Sequence, residues 1–103
     1  MLQISFYVPS EEAEKVKGAM FAAGAGRLGN YDCCSWQTAG QGQFRPLRGS
    51  DPFIGEQDKI STVEEFKVEM ICADEHVTKV IQAMKEAHPY ETPAYTVLKC
   101  LEY

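Results

Sequence analysis

His88 and Glu91 stand close together in the run Ala87-His88-Pro89-Tyr90-Glu91-Thr92-Pro93-Ala94-Tyr95. A neutral imidazole and a carboxylate can ligate a divalent cation or exchange a proton. Pro89 and Pro93 fix a rigid turn that presents both groups together with Tyr90. The same residues can also serve as a structural cap and hydrogen-bonding corner. A His–Glu pair supplies two ligands, whereas metal sites of this kind usually take three or four. The only other histidine, His76, is expected in the first turn of a helix and in solvent. His88 and Glu91 are therefore an incomplete metal site. With Tyr90 they are candidate ligand contacts. No cofactor is named by the residues beyond that divalent metal.

Two further segments are richer than a scaffold requires. Gly42-Gln43-Phe44-Arg45-Pro46-Leu47-Arg48-Gly49-Ser50-Asp51-Pro52-Phe53-Ile54-Gly55-Glu56 is pre-set by proline and glycine. Such loops lose little entropy on ordering and often bind partners. Arg45 is its candidate ligand contact. Packing of the loop on a neighbouring subunit is the equal alternative. Ala23-Gly24-Ala25-Gly26-Arg27-Leu28-Gly29-Asn30-Tyr31 has the glycines of a phosphate loop but follows a helix and precedes a strand. A dinucleotide fingerprint needs the reverse order, so that a helix N-terminus faces phosphate. Asn30 and Tyr31 remain candidate ligand contacts. Tyr31 and Trp36 can stack on a ring, or serve as core or interface aromatics. No nucleophile elbow, zinc-protease helix, Walker motif, serine triad or Cys–His pair is present. No catalytic residue is assigned.

The elements that position these segments follow from periodicity. Leu2 to Val8 alternates as a half-buried strand ended by Pro9. Ser10 is expected to cap a helix running to about Ala23, with Ala13, Val16, Ala19, Met20 and Ala23 on one stripe. Gly24 and Gly26 stop it. A second strand is expected over Tyr31 to Thr38. Ala39-Gly40-Gln41-Gly42 reads as a turn, and Gln43 to Leu47 as a short return strand. Val63 to Cys72 alternates as a longer strand. Asp74 is expected to cap a helix striped by Val77, Val80, Ile81, Met84 and Ala87, closing near His88-Pro89. Ala94 to Leu101 is the last strand, apolar enough for a central or interface position.

This order is β-α-β, an excursion, then β-α-β. Two interleaved right-handed units give an α+β, ferredoxin-like split βαβ fold: a four-stranded antiparallel sheet with both helices on one face. The excursion after the second strand and the turn after the second helix then share one end of the sheet. The loop after the first helix lies at the other end.

The 103 residues form one domain, expected to bury roughly 65% of the unfolded chain's surface. Ten basic against fifteen acidic residues give a charge of −5. Without a Lys/Arg cluster, nucleic acid and anionic membrane surfaces are not expected partners. No run approaches the roughly 18 apolar residues of a membrane span, and no signal peptide is evident. A cytoplasmic location is the expectation. Cys33, Cys34, Cys72 and Cys100 form no CxxC pair and are expected as buried, small apolar residues.

Three motifs carry a family resemblance across nearly the whole chain. They are Ala-Gly-Ala-Gly-Arg-Leu-Gly-Asn-Tyr-Asp-Cys-Cys-Ser-Trp, Gly-Gln-Phe-Arg-Pro-Leu-Arg-Gly-Ser-Asp-Pro-Phe-Ile-Gly-Glu and His-Pro-Tyr-Glu-Thr-Pro-Ala-Tyr. Together they resemble the domain inserted in bacterial members of the NGG-interacting-factor-three family. These dinuclear-metal hydrolases are also labelled GTP cyclohydrolase I type 2 homologues or YqfO proteins. The resemblance implies a fold similar to the PII signalling and CutA divalent-cation-tolerance proteins. It implies a homo-oligomer, with a trimer favoured, and clefts between subunits near the excursion and the His88–Glu91 turn. It also implies a lid-like domain at the ends of a hexamer. The family's metal ligands lie on flanking halves, so the resemblance assigns none to any residue here. Three functions follow as expectations: a non-catalytic ligand- or metal-binding regulatory module, an accessory partner of a dinuclear-metal hydrolase, or an enzyme whose metal site is completed across subunits.

Overall fold

The computed structural model describes all 103 residues. Four strands, β1 (Leu2–Pro9), β2 (Trp36–Phe44), β3 (Ser61–Cys72) and β4 (Tyr95–Lys99), and two helices, α1 (Ala13–Ala22) and α2 (Val77–Ala87), follow in the order β1-α1-β2-β3-α2-β4. The sheet order is β2-β3-β1-β4. Every neighbouring pair is antiparallel. The ferredoxin-like split βαβ architecture expected from the pattern is the one observed.

The alternation in β1 explains the layering. Ile4, Phe6 and Val8 are fully buried and register against Met70, Val68 and Phe66 of β3. Val16 and Met20 of α1 and Val80 and Met84 of α2 close over them in one cluster. Burying such side chains contributes roughly 1.5–3 kcal/mol each before entropy is counted.

Neither helix is capped as expected. A 3-10 turn, Ser10–Glu12 before α1 and Asp74–His76 before α2, delivers the chain into each helix, and no side-chain cap bond forms. The end of α1 does follow the glycine expectation. Gly24 N–H reaches Phe21 C=O at 3.0 Å and Ala25 N–H reaches Met20 C=O at 3.1 Å. That pair of bonds is a Schellman closure, which needs a left-handed residue after the cap. Gly24 supplies it at φ 117°. A Cβ on Gly24 would also meet the His76 ring at 3.1 Å. His76 is thus packed against the end of α1 and half-buried, not freely solvated.

The largest difference lies in the second strand. The segment from Tyr31 to Ser35 is not strand. Leu28 and Tyr31 form an isolated bridge, and Cys33 takes φ 55°. Strand β2 begins at Trp36 and runs through Gly40 and Gly42 to Phe44, pairing with β3 from Glu69 to Ser61. The expected turn at 39–42 and return strand at 43–47 are therefore absent. Glycine weakens a strand intrinsically, but a continuous ladder with the twelve-residue β3 overrides that preference. The long hairpin makes the molecule 46 × 24 × 24 Å. Its radius of gyration is 14.5 Å, against about 13 Å for a compact chain of this size.

Strand β4 is an edge strand, not a central one, and is exposed along its length. Of the cysteines only Cys72 is buried. Cys33 is exposed, Cys34 and Cys100 are half-buried, and all four are free thiols. No helix is long and apolar enough to cross a membrane. The sheet face opposite the helices carries Ser5 and Tyr7 of β1, Glu65, Lys67 and Glu69 of β3, and Trp36 and Thr38 of β2. Trp36 is 69% exposed there.

Candidate functional site

Pro89 forces the residue before it out of the helical region. His88 accordingly turns extended at ψ 136°, and α2 ends on its N–H bond to Met84 C=O. The chain then crosses the top of the sheet. Strand β4 pairs with β1 only as far as Phe6. One residue further on, the Tyr7 carbonyl accepts from the His88 ring Nε2 at 2.7 Å. The other ring nitrogen, Nδ1, accepts from Tyr90 N–H at 3.1 Å. A carbonyl can only accept and an amide N–H can only donate, so the partners assign a neutral ring protonated at Nε2. Burial pushes the His88 pKa down from its ordinary 6.5, against the Tyr7 bond that raises it. His88 is 6% exposed and fixes a corner of the backbone.

Tyr90 stands on that corner. Its ring lies 4.9 Å from His88 and 6.1 Å from Phe44, centroid to centroid. Its hydroxyl donates to Glu65 Oε2 at 2.6 Å. Burial, then the carboxylate, pushes the phenol well above its ordinary value, so it stays protonated. Glu91 projects outward, and its Oε2 accepts from Asp51 N–H at 3.0 Å. That bond ties the excursion, residues 45–60, to the 88–94 turn.

Between these two segments and the open face of the sheet lies a cleft of about 750 Å³. Tyr7, Phe44, Pro46, Phe53, Ile54 and Tyr90 give it apolar walls, and Glu65, Lys67, Glu69 and Glu91 its charge. It has the size and mixed lining of a small-molecule pocket.

The expected site residues divide between the two ends of the sheet. His88, Tyr90 and Glu91 come together at the hairpin end, where Tyr90 and Glu91 line the cleft. Arg45 is exposed on the excursion and is not part of the lining. Asn30 and Tyr31 are exposed in the loop after α1, at the opposite end, and one copy of the chain does not bring them to the cleft. As a metal pair His88 and Glu91 are ill placed: both ring nitrogens hold backbone partners, and the Nδ1 lone pair a metal would need is in use. No group of three or more His, Cys, Asp or Glu side chains is arranged to hold a metal ion.

Sequence reasoning missed Glu65, Tyr7 and the glycines of β2. Glu65 belongs to an alternation that reads as a solvated strand face. Gly40 and Gly42 read as a turn. Their unbroken i, i+2 spacing was the available signal, since it leaves one strand face without side chains.

The sheet order with both helices on one face defines a CutA-like ferredoxin fold. The periplasmic divalent cation tolerance protein CutA from Archaeoglobus fulgidus superposes over all of this chain and 87% of its own, with TM-score 0.68 at 21% identity. No family model matches the sequence. Homology is nevertheless clear. The chain is 41% identical over 95 residues to the GTP cyclohydrolase 1 type 2 homolog of Halalkalibacterium halodurans, covering 92% of this chain and 26% of that protein. The crystal structure of a Bacillus cereus protein related to NIF3 matches with TM-score 0.80 at 38% identity, over 94% of this chain and 24% of that one. The chain is therefore a CutA-like domain homologous to one portion of these NGG-interacting-factor-three relatives, and it spans about a quarter of their length.

Proposed function

We propose that the chain is a non-catalytic, self-associating module that binds a small molecule in the cleft at the hairpin end. One observation carries this reading. The side chains best suited to chemistry, His88, Tyr90 and Glu91, are all spent on backbone and carboxylate partners that build a cleft wall. Binding needs such a rigid wall, whereas general acid–base catalysis needs a group free to exchange its proton. Self-association is supported by the uncovered sheet face, where Trp36 and Tyr7 stand in solvent. Its test is sedimentation of purified protein together with thermal shifts against nucleotides and divalent ions. An oligomer stabilised by one of these ligands supports the module. A monomer that responds to none of them overturns it.

A second reading is favoured by the homology, which matches this chain to a quarter of a larger protein. In it the domain serves a dinuclear-metal hydrolase as a docking or lid element, with the exposed excursion as its contact. Co-purification with such a hydrolase, lost in a Phe53→Asp, Ile54→Asp variant, tests it.

A further inference from the structure

Part of the cleft floor is bare backbone. Strand β2 presents Thr38, Gly40, Gly42 and Phe44 to it, so no side chain rises between Thr38 and Phe44. A Cβ added at Gly40 would meet nothing within 4 Å, so open space lies above it. Glycines inside a strand often mark the close approach of a ligand or another backbone. At Gly42 the space belongs to Glu65, whose Oε1 an added Cβ would strike. Glu65 Oε2 is held by Tyr90, while Oε1 takes no hydrogen bond from the chain. A carboxylate has acceptor capacity for further donors. The aromatic residues Tyr7, Phe44, Phe53 and Tyr90 line the same cleft as this open oxygen's residue.

Charge selects the occupant. Glu65, Glu69 and Glu91 line the cleft against the single ammonium of Lys67. Three carboxylates oppose an anion. A neutral apolar group would desolvate Oε1 without giving it a donor, which costs free energy. A flat cation satisfies both: its paired N–H groups match a carboxylate, and its charge favours aromatic faces. We infer that the cleft binds a small planar cation of the amidinium or guanidinium type, lying over Gly40 with its N–H edge on Glu65. This inference rests on the binding-module reading and names the ligand class for the same cleft.

The test uses the full ¹⁵N-labelled chain, with benzamidine as the probe and benzoate as its anionic counterpart. Benzamidine is expected to shift the amides of Gly40, Gly42 and Tyr90, and benzoate is not. Glu65→Gln keeps an acceptor for Tyr90 but loses the charge, and should weaken benzamidine by about tenfold or more. Gly40→Val fits the strand without a clash and should abolish binding without lowering the melting temperature. Equal binding of benzoate, shifts confined to other regions, or unchanged affinity in Gly40→Val would overturn the inference. So would loss of the oligomer on adding benzamidine, which would identify the occupant as an arginine from a neighbouring copy. Sedimentation of the same samples separates the two levels. An oligomer that binds benzoate alone retains the module and discards the cationic ligand; a monomer with no shifts discards both.

Discussion

The Tyr90 hydroxyl donates to Glu65 Oε2 at 2.6 Å, joining the turn after α2 to the open face of β3. Glu65 can hold that position because the strand opposite carries no side chain at Gly42. The two residues therefore share one geometric condition. Tyr90→Phe should cost about 1–2 kcal/mol, the value of a hydrogen bond to a charged group in a half-buried setting. Urea unfolding measures it, and an unchanged midpoint would show that solvent replaces the bond in full.

Gly42→Ala should cost a similar amount, about 1 kcal/mol or more, because the new methyl pushes the carboxylate off the Tyr90 hydroxyl. If that is the cause, the double variant Gly42→Ala, Tyr90→Phe will be less destabilised than the sum of the single changes. Strict additivity would mean that Gly42 acts through the backbone alone.

Gly40→Val should move the other way. The site is open, and valine loses less chain entropy than glycine and suits a strand, so a gain of about 0.5–1 kcal/mol is expected. A lower melting temperature would show that the space over Gly40 is already filled in solution.

His88 should make stability fall in mild acid. Its folded pKa lies below the ordinary 6.5 because burial disfavours the charged ring. Between the two values the unfolded chain binds more protons than the folded one, so stability rises with pH. The full contribution is present above about 6.5 and is lost as pH falls from there toward the folded value, with a slope of at most about 1.4 kcal/mol per pH unit. Comparing urea midpoints at neutral and mildly acidic pH tests this. His88→Gln should flatten that part of the profile while lowering stability throughout.

Trp36 offers a direct reading of the open face. It is the only tryptophan, and it stands exposed beside Glu69. On self-association through this face its emission should shift to the blue and become protected from acrylamide as concentration rises. Trp36→Asp should weaken assembly and leave the fold intact, since the side chain is exposed and is not part of the core cluster around Phe6. Emission independent of concentration would place the interface elsewhere.

Much of this architecture was legible from residue order. The alternation of Ile4, Phe6 and Val8, the stripes through Val16 and Met20 and through Val80 and Met84, and the stop at Gly24 each reflect local physics. A period of two or 3.6 buries one face whatever the rest of the chain does. That sufficed for the split βαβ fold, and it placed the excursion and the His88–Glu91 turn at one end of the sheet. Strand β2 was not legible, because Gly40 and Gly42 disfavour strand locally and are held there only by β3, more than twenty residues away. The role of His88 was also beyond the sequence. An imidazole beside a carboxylate invites a metal reading, and only the meeting with the Tyr7 carbonyl, 81 residues distant, commits its ring to structure. Glu65 shows the same limit. Its place in an alternating charged strand makes it look solvated, while Tyr90 and Gly42 arrive from two other segments to fix one oxygen and leave the other open. Periodicity decided which faces are buried; the long-range contacts decided which polar groups are spent and which remain available to a ligand.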